Sequence, residues 1–263
     1  MGLIGMGWIQ RALAQVGSIF WLLLNLGSEI GDTLARGRVP FRRKVLFEQT
    51  ARTGVGSVPL VAMVSFFLGL TMALLTGYEL RTFGMERLVP ELVATAFCRE
   101  LGPLMTGIVV AARIGAAYTA ELGTMTVSEE VEAIEAMGIG PLRFLVGPRL
   151  TAIVGLLPCL VVVSNLAALV GAAVISITTL NIALPYFIDL VHQGVLVKDI
   201  VAGIVKSVFF GLIIALVACY RGLTVKGGAA GVGTATTSSV VTSITTVIAV
   251  DSVFNVLLVH VMD

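Results

Sequence analysis

Ionisable side chains are scarce in this sequence: Asp, Glu, Lys and Arg make up 13% of its 263 residues, with two histidines and three cysteines besides. His192 and His260 lie far apart and belong to no His-Glu-x-x-His pattern, so metal-assisted hydrolysis of that type is excluded. Cys98, Cys159 and Cys219 have neither metal-ligand spacing nor the layout of a disulfide framework, and are expected to pack as small apolar residues. The two signs of charge almost cancel, net +1, which argues against a nucleic-acid partner. No Gly-x-x-x-x-Gly-Lys-Ser/Thr phosphate loop occurs; Lys226-Gly-Gly-Ala-Ala-Gly-Val-Gly233 has its lysine at the wrong end, so the chain does not bind ATP by that route. Neither a serine elbow nor a paired-cysteine motif is present, and no polar constellation has catalytic spacing. No cofactor and no metal are expected, and an enzyme is disfavoured.

What the sequence has is apolar length. Hydrophobic residues reach 57% and the mean hydropathy is +1.01, far above a soluble domain. Crossing a hydrocarbon core of about 30 Å takes roughly 20 helical residues. Five charge-poor stretches meet that length: 58–78, 101–120, 150–177, 200–219 and 240–259. Barrel strands would alternate over about ten residues and these do not. The expected fold is all-α integral membrane: a segment 1–57, then a five-helix domain 58–263.

Within 1–57, the apolar run 16–27 is only half a span and lies among Arg11, Glu29, Asp32 and Arg36, which fits an interfacial helix. A signal peptide is the rival, but no convincing cleavage site follows. With the amino terminus inside, eleven of the seventeen Lys and Arg fall on inside segments and four, Arg81, Arg87, Arg99 and Lys198, on outside ones. The positive-inside rule thus predicts a cytoplasmic amino terminus, and five spans then put the carboxyl terminus outside.

Between the second and third stretches, residues 126–138 read as a short helix. Thr126 with Glu129 matches a capping box, and Gly138 with Gly140-Pro141 ends the run. Val127, Val131, Ile134 and Met137 share one face; Glu129, Glu130, Glu132 and Glu135 take much of the rest. Such a helix either meets water or docks a basic partner protein. The Gly- and Ser/Thr-rich stretch 222–246 reads as a flexible loop.

Charges inside the spans are expensive unless paired. Arg99-Glu100 precedes Gly102-Pro103, where the missing proline donor can bend the helix. Lys206 could bind a charged headgroup or join helices, while Asp251 with Asn255 one turn on suggests a helix-joining contact. Arg113 is expected to snorkel. Small residues repeat as Gly107, Ala111, Gly115 and as Ala112, Ala116, Ala120, placing this second span at the centre of the bundle.

These blocks, Arg99-Glu-Leu-Gly-Pro103, Ala112-Arg-Ile-Gly-Ala116, Ala120-Glu-Leu-Gly-Thr-Met125, the Glu-rich helix to Pro148-Arg149, and Val205-Lys-Ser-Val-Phe-Phe-Gly211 with Cys219-Tyr-Arg-Gly222, resemble MlaE/YrbE-type permeases from about Phe41 onward. The resemblance implies the multi-pass membrane subunit of a lipid-moving ABC transporter in a bacterial inner membrane, with a role in outer-membrane lipid asymmetry. It implies a homodimer around a lipid cavity, a separate ATPase that binds the ATP, a periplasmic MCE-domain protein and often a STAS-domain protein. By position it puts Glu129, Glu130, Glu132 and Glu135 on an ATPase-coupling helix, and Arg99, Glu100 and Lys206 near the cavity. Phospholipid tails would need apolar walls such as Phe66, Phe67 and Leu70, and its phosphate a cation such as Arg99 or Lys206. A sterol or other hydrophobic cargo, and a non-transporting scaffold for an MCE complex, remain alternatives.

Overall fold

The structure, a computed structural model, describes residues 54–262, with side chains to 257. The run 16–27 and its flanking charges lie outside the described residues. Helix α1 spans Val58–Arg81, α2 Glu86–Val127, α3 Glu130–Ala136, α4 Leu142–Thr178, α5 Leu184–Gly194, α6 Val197–Leu223 and α7 Gly228–Met262. Five of these, α1, α2, α4, α6 and α7, are long and apolar enough to cross a membrane. The protein is an all-α, multi-pass membrane protein. Because the spans alternate in direction, α3 and the α6–α7 turn lie at one end and α5 and the α1–α2 turn at the other.

In lipid, burying one apolar helix against another gains little, so close packing and hydrogen bonds hold the bundle. Along α1 the buried positions are Val61, Ser65, Gly69, Ala73 and Gly77, an unbroken row of every fourth residue. That row lies on α4, and the contacts advance together along both helices, so the two run parallel. Ser65 and Ser164 share a hydroxyl hydrogen bond of 2.7 Å. Gly69 meets the Ala168 backbone, and Gly171 meets the Phe66 and Leu70 backbone. A Cβ at Gly69 would overlap the Ala168 carbonyl oxygen, and one at Gly171 the Phe66 carbonyl oxygen. The outward side of the pair carries Phe67, Leu75, Leu166 and Val170, large apolar side chains suited to acyl chains.

Helix α2 is central, packing on α1, α4, α6 and α7. Of its two small-residue rows, Gly107, Ala111 and Gly115 are buried, while Ala112 is exposed. Two π turns, Phe97–Leu101 and Ala111–Gly115, interrupt it. The first absorbs the break before Pro103: the Gly102 N–H reaches back five residues to the Phe97 carbonyl. The bend expected at Gly102-Pro103 is therefore a wider helical turn, which presents Arg99 and Glu100 off the regular α register. Thr119 fastens the other end, donating to the Ala218 carbonyl (3.2 Å) and pairing with the Ser239 hydroxyl (2.8 Å).

Two expectations are corrected. The stretch 222–246 is no loop: only a short turn follows α6, with Gly227 and Gly228 at positive φ, and α7 starts at Gly228. Its threonines bond inward to their own helix, Thr236 to the Val232 carbonyl and Thr246 to the Thr242 carbonyl, so in an apolar setting the hydroxyls need no water. The capping box does not form either. Thr126 lies within α2, donating to the Leu122 carbonyl at 2.9 Å; the chain turns at Glu129, φ 60°, whose side chain caps nothing.

Candidate functional site

Four polar residues meet in the α5-side half of the bundle. Lys206, ten residues into α6, stands about 14 Å along that helix at the usual rise and is fully buried. Its ammonium donates to Glu100 Oε2 at 2.6 Å from the α2 π turn and to the Asn255 side-chain oxygen on α7. Asp251 Oδ1, one turn from Asn255, is 3.0 Å from the same ammonium. The Asn255 amide donates to Glu100 Oε1 and reaches Asp251 Oδ2 at 3.5 Å. Three helices are thus joined through one ammonium. The Asp251 oxygen facing Lys206 receives no hydrogen bond of good geometry, so this corner has slack.

Two carboxylates surround this one cation, and Arg99, one residue from Glu100, pairs with neither. Among the described residues Arg99 makes no ion pair; it is half-buried and precedes Glu100 in the π turn. Asn165 of α4 rests its side-chain oxygen on Gly102, buried and without a hydrogen-bond partner among the described residues. The π turn therefore carries a guanidinium with no ion pair among the described residues, and the orphaned amide oxygen and the compact ionic group adjoin it. Phe66 and Phe67, rings 5.4 Å apart edge to face, and Leu70 stand on α1; the described contacts join none of them to the ionic group.

At the opposite end, Glu129, Glu130, Glu132 and Glu135 are all exposed on and before α3. Val131 and Ile134 turn inward onto Leu122 of α2, Leu145 and Val146 of α4, and Leu216 and Cys219 of α6. The four-residue apolar face expected from periodicity is reduced to these two, because the turn at Glu129 takes Val127 out of register and Gly138, φ 75°, ends the helix; Met137 is 67% exposed. An acidic knob with one exposed methionine is left projecting from the bundle.

The family model for the permease MlaE matches residues 46–257. The chain belongs to the MlaE permease family. A probable ABC transporter permease protein of Rickettsia typhi is 36% identical over 204 residues, 78% of this chain and 79% of that one. One of Synechocystis is 32% identical over 240 residues, 90% and 86%. The chloroplastic protein TRIGALACTOSYLDIACYLGLYCEROL 1 of Arabidopsis thaliana is 35% identical over 222 residues, 84% of this chain and 63% of that one. An MlaE permease is the membrane subunit of a transporter, and ABC permeases work with an ATPase partner. In this member, the sequence links Asp251 to Asn255 by helical spacing but has no spacing that joins them to Glu100 and Lys206. A single signal could have joined them: three charges inside three spans, none able to remain unpaired in lipid.

Proposed function

We propose that the chain moves phospholipid through a cavity between two copies of itself, driven by ATP hydrolysed on a separate subunit seated on α3. In this reading the α3 end is cytoplasmic, as the excess of Lys and Arg there favours, the carboxyl terminus is periplasmic and the membrane is the bacterial inner membrane. A periplasmic MCE-domain protein exchanges lipid at the α5 end, and a STAS-domain protein sits on the ATPase. The observation that carries the cargo assignment is the Arg99 guanidinium within the π turn, which has no ion pair among the described residues: a phosphate diester is the anion it suits, and a sterol offers none. Lys206, already committed to Glu100, Asp251 and Asn255, shapes this site and leaves Arg99 to meet the headgroup. The name of the plant relative, which is that of a galactolipid, favours a glycerolipid. Phe66, Phe67 and Leu70 wall the acyl chains once a second copy closes the cavity.

A phospholipid carrying a photoreactive acyl chain tests this in the assembled complex. Labelling on the 66–70 peptide of α1, competed by unlabelled phospholipid and weakened about tenfold or more by Arg99→Ala, is expected. Competition by sterol alone, with Arg99→Ala without effect, would assign a neutral hydrophobic cargo instead.

The exposed acidic face makes a second prediction. Glu132→Lys puts a cation opposite a basic ATPase surface, and like charges brought together there cost several kcal/mol. Apparent affinity for the ATPase subunit, read by titrating it into the reconstituted permease, should fall at least about tenfold. Unchanged affinity would return α3 to a solvated loop helix.

A further inference from the structure

Arg149 is buried, 5% exposed, one turn beyond the π turn Leu142–Val146 that opens α4. Its guanidinium touches three things. Nη1 donates to the Leu145 carbonyl at 2.8 Å, Nη2 lies 3.2 Å from Glu121 Oε1 on α2, and Cζ stands 5.7 Å from the centre of the Tyr118 ring. Glu121 immediately precedes Leu122, on which the apolar side of α3 rests. A displacement of α3 therefore pushes on α2, α4 and α6 together through Leu122, Leu145 and Leu216. Apolar contact resists compression but holds no direction; the Arg149–Glu121 pair is a directional, charged tie between α2 and α4 at that level.

The tie is incomplete. Nε, buried, has no hydrogen-bond partner among the described residues, and the ion pair is single and fairly long. Nε–H and Nη2–H form the side-on fork of a guanidinium, which fits both oxygens of one carboxylate. A small approach of α2 toward α4 would turn the single contact into that two-point pair. Both the loose and the tight arrangement use the same residues, which is what a two-state link between distant sites requires.

We propose that Arg149 is the positioning residue that carries movement of α3 into the α2–α4 contact, by alternating between a single and a forked pair with Glu121; this rests on the reading of α3 as the ATPase seat. The test uses the assembled complex in proteoliposomes, with ATP hydrolysis and phospholipid transfer measured on the same sample. Arg149→Gln and Glu121→Gln are expected to keep ATP hydrolysis within about twofold of the unmodified complex while transfer per ATP falls roughly tenfold. Arg149→Lys, which keeps the charge and loses the fork, should be as defective as Arg149→Gln. The exchange Arg149→Glu with Glu121→Arg should recover part of the loss. Because Glu121 is half-exposed, Glu121→Gln tests the link even where Arg149 variants fail to assemble. Unchanged transfer per ATP in Glu121→Gln, or hydrolysis and transfer falling in parallel, overturns the proposal. An unmodified complex that shows no ATP-driven transfer overturns the transport reading itself.

Discussion

Replacing Lys206 by methionine is expected to destabilise the folded permease by about 3–5 kcal/mol, the usual penalty for stripping one partner from a buried ion pair. The reason is the charge count around it. Glu100 and Asp251 converge on this one ammonium, and without it two carboxylates face each other in a low-dielectric interior. Denaturant titration in detergent should show the loss as a lower midpoint, and size-exclusion should show reduced monodisperse yield. Adding Glu100→Gln and Asp251→Asn to Lys206→Met should return much of the stability, because a neutral amide set needs no counter-charge. A single Lys206→Met variant as stable as the parent would mean that water or lipid headgroups already neutralise these carboxylates.

The α1–α4 contact should be nearly as sensitive. Gly69→Leu forces a side chain into the Ala168 backbone, which cannot rotate away as a side chain could. Overpacking commonly costs 1–3 kcal/mol, and a rigid neighbour puts this case at or above about 3 kcal/mol. Gly171→Leu should behave alike, since it meets the Phe66 carbonyl from the other side. Gly155 on the same helix α4 has nothing within 4 Å of an added Cβ, so Gly155→Ala should be neutral or stabilising by up to about 1 kcal/mol through helix propensity. The contrast is read by comparing unfolding midpoints. Equal tolerance at positions 69 and 155 would show that α1 does not pack on α4 as described.

Much of the architecture was legible in the sequence because a bilayer imposes a length: five apolar runs of about 20 residues gave five spans. The ends were less legible. Helix α2 runs for 42 residues, well past the apolar run 101–120, since 86–100 is amphipathic and packs on α5 and α1 instead of ending in water. The stretch 222–246 misled because glycine, serine and threonine signal loops in water, whereas in lipid small residues allow close approach and the hydroxyls bond back to their own turn. For the α3 helix, periodicity located the acidic run but not the left-handed residue at Glu129, which decides which apolar side chains face in. The ionic group was half legible: each charge inside a span demanded a partner, yet only the fold shows that Glu100, Lys206, Asp251 and Asn255 are one another's. Nothing in spacing alone distinguished Lys206, enclosed by acids, from Arg99, which makes no ion pair among the described residues. Arg149 gave no signal beyond its place at the end of a motif, because its meaning lies in Glu121 and Tyr118 on another helix.

ATP-driven phospholipid movement is read from transfer of labelled phospholipid in proteoliposomes holding the permease with the proposed ATPase and periplasmic partners. Transfer should require hydrolysable ATP, stop when the ATPase is inactivated, and exceed transfer of a labelled sterol under the same conditions by at least about tenfold. Transfer of sterol alone, or ATP hydrolysis by an intact complex with no lipid moved in either direction, would contradict it.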